Sequence, residues 1–338
     1  MSGIHEPFMQ RCIDLAARGL GQTLSNPLVG SVVVYDGEII SEGWHAKFGE
    51  RHAERMAIDA IKHDARLKRS TLYVNLEPCS HHGKTPPCAD YILSCGIPEV
   101  VYGMEDPFEK VSGRGLKLLR ENGVRVIGPV LQKECEFLNR RFITFQTKKR
   151  PYIILKWAES ADGFITNDSK SRIQISGNEA NILLHKWRSE EMAVLVGANT
   201  AVADSPLLNV RNWDGITRNR IFFDGNLRGD YKSGFGKTLV FNRIENWEDG
   251  DIEYIQSHSE NFIPEMLELL YNRQINSVLV EGGTHTIEKF KELKIWDEIR
   301  VIRSKSIKLE TGIAAPEAIG LEKQHTDLGA DIVYFYNQ

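Results

Sequence analysis

The sequence predicts two α/β domains in tandem, and three observations carry that reading. At 338 residues the chain is about twice the usual single-domain size of roughly 150. Helical and strand patterns alternate along both halves, as they do when helices pack on a sheet. A charged segment ending in proline, Thr147-Lys148-Lys149-Arg150-Pro151, reads as the linker between residues 1–146 and 151–338.

The elements follow in order. Apolar residues at helical spacing mark Phe8 to Leu20. Gly30 to Tyr35 and Ile39 to Glu42 are predicted strands, joined by Asp36-Gly37, a dipeptide that accepts the positive φ angles of a tight hairpin. A helix is expected from about His52 to His63, a strand from Thr71 to Leu76, a short helix after Cys88 and a strand from Glu99 to Gly103. The next helix, about Gly113 to Asn122, stops at Gly123, and a strand and a last helix reach Gln146. This alternation implies a mostly parallel sheet. Beyond the proline, strands are expected at Tyr152 to Trp157, Met192 to Val196, Arg220 to Asp224, Thr238 to Phe241, Ser277 to Glu281, Asp297 to Arg303 and Asp331 to Tyr336. Helices fit between them at Glu179 to Arg188, Ile263 to Arg273 and Thr284 to Leu293.

Composition narrows the function classes. Residues 1–150 carry 21 Lys and Arg against 18 Asp and Glu, and residues 151–338 carry 21 against 28. Neither half has the basic excess of a nucleic-acid binder. No apolar run approaches the ~20 residues that cross a bilayer. Met1 to Gln10 lacks the basic-then-apolar layout of a secretory leader, so a cytoplasmic location is expected. Five scattered cysteines are too few for a disulfide framework, and in a reducing compartment the close pair Cys79 and Cys88 points to a metal or catalytic site.

His52-Ala53-Glu54 opens a predicted helix, and Pro78-Cys79 follows a predicted strand with Cys88 nine residues on. One imidazole and two thiolates hold zinc with a fourth position open to water, whose pKa the metal lowers toward neutrality. Glu54 falls near that metal without ligating it, as a carboxylate must that carries protons to a leaving amine. The order matches the His-x-Glu then Pro-Cys-x-x-Cys signature of zinc nucleobase deaminases, except for the longer cysteine spacing. A structural zinc would want a fourth protein ligand, which His81 or His82 supplies in that alternative. In the catalytic reading those two lie on the loop Ser80 to Pro87, against the substrate.

With Glu77-Pro78-Cys79-Ser80-His81-His82-Gly83-Lys84-Thr85-Pro86-Pro87-Cys88 and Asn26-Pro27-Leu28-Val29-Gly30, the first half resembles the deaminase domain of the bifunctional riboflavin-biosynthesis deaminase/reductases. The long cysteine spacing is itself typical of that family. The resemblance implies a cytidine-deaminase-like α/β/α domain, with Asn26 facing the pyrimidine.

In the second half, Lys156 to Gly163 ends a strand in a polar turn. Gly197-Ala198-Asn199-Thr200 and Asp204 to Arg211 bring small residues, a hydroxyl, a carboxylate and a cation. Glu281-Gly282-Gly283-Thr284-His285-Thr286 passes from strand through a glycine turn into a helix, whose free amides suit phosphate. In this order the blocks resemble the reductase domain of the same family, which implies a dihydrofolate-reductase-like α/β fold and NADPH. By that resemblance Ala158, Gln174, Thr200, Asp204, Gly225 and the run Gly283, Thr284, His285, Thr286, Ile287, Glu288 and Lys289 meet the cofactor. Arg172, Arg188, Leu208, Arg211 and Glu281 meet the substrate, and guanidinium groups suit its ribose phosphate. Lys156 and Asp204 are the candidates for orienting the opened sugar and assisting proton transfer. Ser205 and Gln174 depart from the aspartate and tryptophan usual there.

The resemblance therefore implies two reactions on small phosphorylated ribosylaminopyrimidines, a hydrolytic deamination and an NADPH-dependent reduction, with no membrane or nucleic-acid partner and with a homo-oligomer expected. The alternative, a zinc-dependent RNA or nucleoside deaminase with a non-catalytic second domain, calls for a basic second half with exposed aromatics. The second half instead carries seven more acidic than basic residues.

Overall fold

The structure is a computed structural model that describes residues 2–80, 86–108, 113–168, 173–259 and 261–338. The chain divides into two compact units, Met1–Lys149 and Arg150–Gln338. Arg150 belongs to the second because its guanidinium holds both carboxylate oxygens of Asp297, at 2.6 and 2.8 Å.

The first unit runs α1 (Glu6–Ala17), β1 (Gly30–Tyr35), β2 (Glu38–Trp44), α2 (Ala53–Asp59), β3 (Thr71–Leu76), α3 (Cys88–Cys95), β4 (Glu99–Met104), α4 (Arg114–Glu121), β5 (Arg125–Ile127), α5 (Gln132–Leu138) and α6 (Arg140–Lys148). Asp36 and Gly37 both have positive φ, and the hairpin they close pairs Tyr35 with Glu38. The sheet order is β2-β1-β3-β4-β5. Only β3–β4 and β4–β5 are parallel, so the expectation of a mostly parallel sheet needs correcting in this unit. The hairpin reverses the chain, and the strands joined by α2 then flank β1 and run against it.

Alternation along β1 builds the layers. Val32 and Val34 pack with Met9, Cys12 and Leu15 of α1, while Val33 faces Ala57 and Ile58 of α2 and Ile92 of α3. Period-2 geometry sends successive side chains to opposite faces, so a strand covered on both sides is apolar throughout.

The second unit runs β6 (Tyr152–Glu159), β7 (Phe164–Thr166), α7 (Asn178–Glu190), β8 (Ala193–Gly197), α8 (Ala198–Asp204), β9 (Asn219–Phe223), β10 (Lys237–Asn242), β11 (Trp247–Asp249), β12 (Ile252–Gln256), α9 (Phe262–Asn272), β13 (Ser277–Val280), α10 (Thr284–Glu292), β14 (Glu298–Ser304), β15 (Ile313–Ala314), β16 (Leu321–Leu328) and β17 (Asp331–Asn337). Its large sheet has the order β11-β12-β10-β9-β8-β13-β6-β14-β17-β16, parallel from β12 to β14 and antiparallel at both ends. Along β6, Ile153, Leu155 and Trp157 join a core with Met266 of α9 and Phe290 of α10, and Tyr152 and Ile154 join another with Ala180 and Trp187 of α7. Ligand sites of such sheets gather at the carboxyl ends of the parallel strands, here the ends of β6, β8, β9 and β13.

Candidate active sites

In the first unit two glycines let backbone approach backbone around the candidate metal site. A Cβ on Gly43 of β2 would lie 2.5 Å from the Ala53 carbonyl, so only glycine lets α2 start directly against the strand. His52 is the residue before that helix, and Glu54 lies in its first turn. On the other side, the Glu77 carboxylate accepts from the amides of Gly113 and Gly115 at 2.8 and 2.9 Å, and a Cβ on Gly115 would lie 2.0 Å from the Pro78 carbonyl. This clasp fixes the strand end from which Cys79 projects. Cys88 opens α3 and donates its amide to Cys79 Sγ at 3.3 Å.

His52 Nδ1 lies 3.6 Å from Cys79 Sγ and 3.3 Å from Cys88 Sγ, and the three donor atoms fall within 4.8 Å of one another. Tetrahedral zinc, with bonds of about 2.1 Å to nitrogen and 2.3 Å to sulfur, sets such donors roughly 3.6 Å apart, so this donor set fits the metal. Hydrogen bonding to Cys88 holds the Cys79 thiol down at about 4, and Cys88 is pushed up in return. The bond to Cys79 raises His52 to about 9, and burial raises Glu54. Glu54 is only 3% exposed, so a proton it carries is shielded from bulk water. His81 and His82 lie outside the described residues.

Asn26 is fixed by a residue with no motif of its own. His45 is buried, and its Nδ1 meets the Arg51 carbonyl at 3.2 Å while Nε2 meets Asn26 Nδ2 at 3.1 Å. A carbonyl only accepts, so Nδ1 carries the proton and Nε2 accepts from the amide. Burial lowers the His45 pKa. Asp106, just after β4, is raised by burial to about 6 and is a second ionisable group that no sequence signal marked.

In the second unit a cleft of about 1000 Å³ opens at the carboxyl ends of the strands, lined by Thr200, Asp204, Gly283, Thr284, His285, Thr286 and Lys289 among others. Ile287 points into the core beneath, and Glu288 pairs with Lys291 at 2.8 Å. Gly225 lies beside Arg243 and Phe262, both of which line the cleft. Ala158 is on β6, and Gln174 is exposed, bonded to the Ser176 carbonyl at 3.2 Å.

Of the expected substrate residues, Arg188 and Glu281 meet directly at 2.6 Å, and Arg188 Nη1 reaches the Asn209 carbonyl at 3.1 Å. Lys156 is buried close enough to feel both charges: burial lowers its pKa, Glu281 opposes that and Arg188 adds to it. Arg211 Nη1 bonds Asn209 Oδ1 at 2.9 Å, and its amide donates to His185 Nδ1 at 3.3 Å. The Leu208 side chain is packed in the core, and its carbonyl accepts from the Thr217 hydroxyl at 2.9 Å. Arg172 lies outside the described residues. His185 sits one turn before Arg188 on α7; the sequence reading did not mark it, and its i, i+3 spacing from Arg188 is the signal that could have found it.

Comparison with known proteins agrees across both units. Residues 2–104 match the family model of the cytidine and deoxycytidylate deaminase zinc-binding region, and residues 151–304 match that of the RibD C-terminal domain. The riboflavin biosynthesis protein RibD of Aquifex aeolicus is 34% identical over 99% of each chain. That of Actinobacillus pleuropneumoniae is 38% identical over 82% of this chain and 77% of its own. The crystal structure of a diaminohydroxyphosphoribosylaminopyrimidine deaminase/5-amino-6-(5-phosphoribosylamino)uracil reductase from Thermotoga maritima superposes with a TM-score of 0.91 at 35% identity, covering 99% of each chain. With a cytidine-deaminase-like unit followed by a dihydrofolate-reductase-like one, the chain belongs to the RibD family of bifunctional deaminase/reductases of riboflavin biosynthesis.

Proposed function

We propose that residues 1–146 deaminate 2,5-diamino-6-ribosylamino-4(3H)-pyrimidinone 5′-phosphate and that residues 151–338 reduce the ribose of the resulting 5-amino-6-(5-phosphoribosylamino)uracil to the ribityl form with NADPH. The observation that carries this reading is the convergence of His52, Cys79 and Cys88 beside a buried Glu54, in one chain with the strand-end cleft of the second unit.

His52, Cys79 and Cys88 would hold zinc, which would supply an acidified water, and NADPH would supply a hydride. Glu54 takes the proton released as the water oxygen bonds to the amino-bearing ring carbon, then gives it to the amino nitrogen so that ammonia leaves. Its burial raises its pKa, which favours taking up that proton. Asn26, oriented by His45, hydrogen-bonds the pyrimidine and aligns the carbon under attack.

In the reduction, NADPH would supply the hydride to the anomeric carbon of the opened sugar, and Lys156 is the residue that delivers the balancing proton. Burial weakens its hold on that proton. Glu281 keeps Lys156 and Arg188 in register, Arg211 and Arg172 neutralise the phosphate, and Asp204 orients the sugar from the cleft wall. The proposal keeps the chain in the cytoplasm, where thiols stay reduced, and expects like chains to associate. The test is zinc analysis of the purified chain together with turnover of each substrate; about one zinc per chain and both activities are expected.

A further inference from the structure

Two arginines that neither the substrate nor the hydride chemistry uses lie in the wall of the second unit's cleft. Arg228 and Arg243 both line it, with Asn199 and Phe262. Arg228 leaves the turn after β9, where the buried Asp224 carboxylate gathers three donors through Oδ2: the Arg228 amide at 2.7 Å, the Gly229 amide at 2.8 Å and the Tyr231 hydroxyl at 2.5 Å. Its guanidinium is then held by Asn199 Oδ1 at 3.1 Å, with Nε 3.8 Å from Asp224 Oδ1, and the side chain remains about half exposed. Arg243 leaves the next strand, β10. Its amide bonds the Gly225 carbonyl at 3.0 Å, and its guanidinium stands 5.6 Å over the Phe262 ring. A Cβ on Gly225 would touch the Arg243 stem and the Phe262 ring, each at 3.5 Å.

The same cleft thus combines two guanidinium groups with an aromatic face, and Thr200 and Gly283 line it too. An arginine and a ring suit a purine by stacking, and paired guanidinium groups suit a phosphate dianion. We infer that Arg228 and Arg243 are the specificity-determining pair that reads the 2′-phosphate of the adenosine ribose, and so make the second unit prefer NADPH to NADH. The inference rests on the reductase reading above and assigns that site its discrimination between dinucleotides. Asp224 acts through Arg228 as a positioning residue, because it shapes the turn that presents the guanidinium.

The test is calorimetric binding of NADPH and NADH, without turnover, to the full chain and to Arg228→Met and Arg243→Met, which keep much of each stem's packing. The unmodified chain is expected to bind NADPH at least about tenfold more tightly, and each variant to weaken NADPH about tenfold while moving NADH less than about threefold. Adenosine 2′,5′-bisphosphate is expected to bind the unmodified chain more tightly than adenosine 5′-phosphate, an advantage that shrinks with added salt. That comparison needs no variant to fold. Equal affinity of the unmodified chain for the two dinucleotides, or parallel loss of both in the variants, overturns the inference while leaving the reductase reading standing. Binding of neither dinucleotide overturns both.

Discussion

Arg188 and Glu281 meet in a two-pronged pair, Nε to Oε1 at 2.6 Å and Nη2 to Oε2 at 2.7 Å, with 9% and 8% of their side chains exposed. Removing one partner of a buried pair strands the other's charge, which costs about 3–5 kcal/mol, whereas replacing both by apolar residues is often close to neutral. Arg188→Leu is therefore expected to destabilise the chain by about that amount in urea unfolding, and Arg188→Leu with Glu281→Leu to recover most of it. A single variant as stable as the parent would show that the pair is not buried in solution.

Cys88→Ser is expected to lose both metal and deamination, while reduction of the deaminated substrate continues at the parent rate. The two chemistries rest on different units, so metal analysis and the two rates together decide the matter. Equal loss of reduction would contradict the assignment of separate sites.

Glu54→Gln keeps the size and polarity of the side chain but cannot carry the proton. Deamination is expected to fall by about 10²- to 10⁴-fold with zinc content unchanged. Retention of the parent rate would remove Glu54 from the mechanism.

His185 gives a dependence on pH. Burial holds its ring at about 4, against about 6.5 in an unfolded chain. Between those values the unfolded chain binds more protons, so stability rises with pH. The contribution is complete above about pH 6.5, is lost as pH falls toward 4, and amounts to at most about 3 kcal/mol. His185→Asn keeps an acceptor for the Arg211 amide but cannot become charged. Denaturant midpoints measured from pH 7 to 4 are expected to fall less steeply for it than for the parent, and equal slopes would contradict the burial of a neutral ring.

Much of the fold was legible because it is written in local chemistry. The Asp36-Gly37 hairpin, the β3 strand at Thr71–Leu76 and the stop of α4 before Gly123 follow from turn residues and from the apolar run of a doubly covered strand. β16 was not legible. Its Leu321–Leu328 sequence is polar at most positions, and it forms by backbone pairing along the whole edge of β17. The last helix of the first unit was expected as one and is two, α5 and α6, divided at Asn139. That side chain is drawn inward, where it accepts from the Leu28 amide at 2.8 Å and donates to the Leu28 carbonyl at 3.0 Å, a contact 111 residues away in sequence. The metal donors were legible because their types and order carry the chemistry. His45 and Asp106 were not, since the contact and the burial that single them out come from neighbours that only the fold supplies.

The most direct test of the account is to supply 2,5-diamino-6-ribosylamino-4(3H)-pyrimidinone 5′-phosphate to the purified chain, with and without NADPH, and to follow products by mass. The account predicts that the deaminated aminouracil accumulates without NADPH, and that the ribityl compound replaces it when NADPH is present. Reduction before deamination, or an aminouracil that persists in excess NADPH, would contradict it.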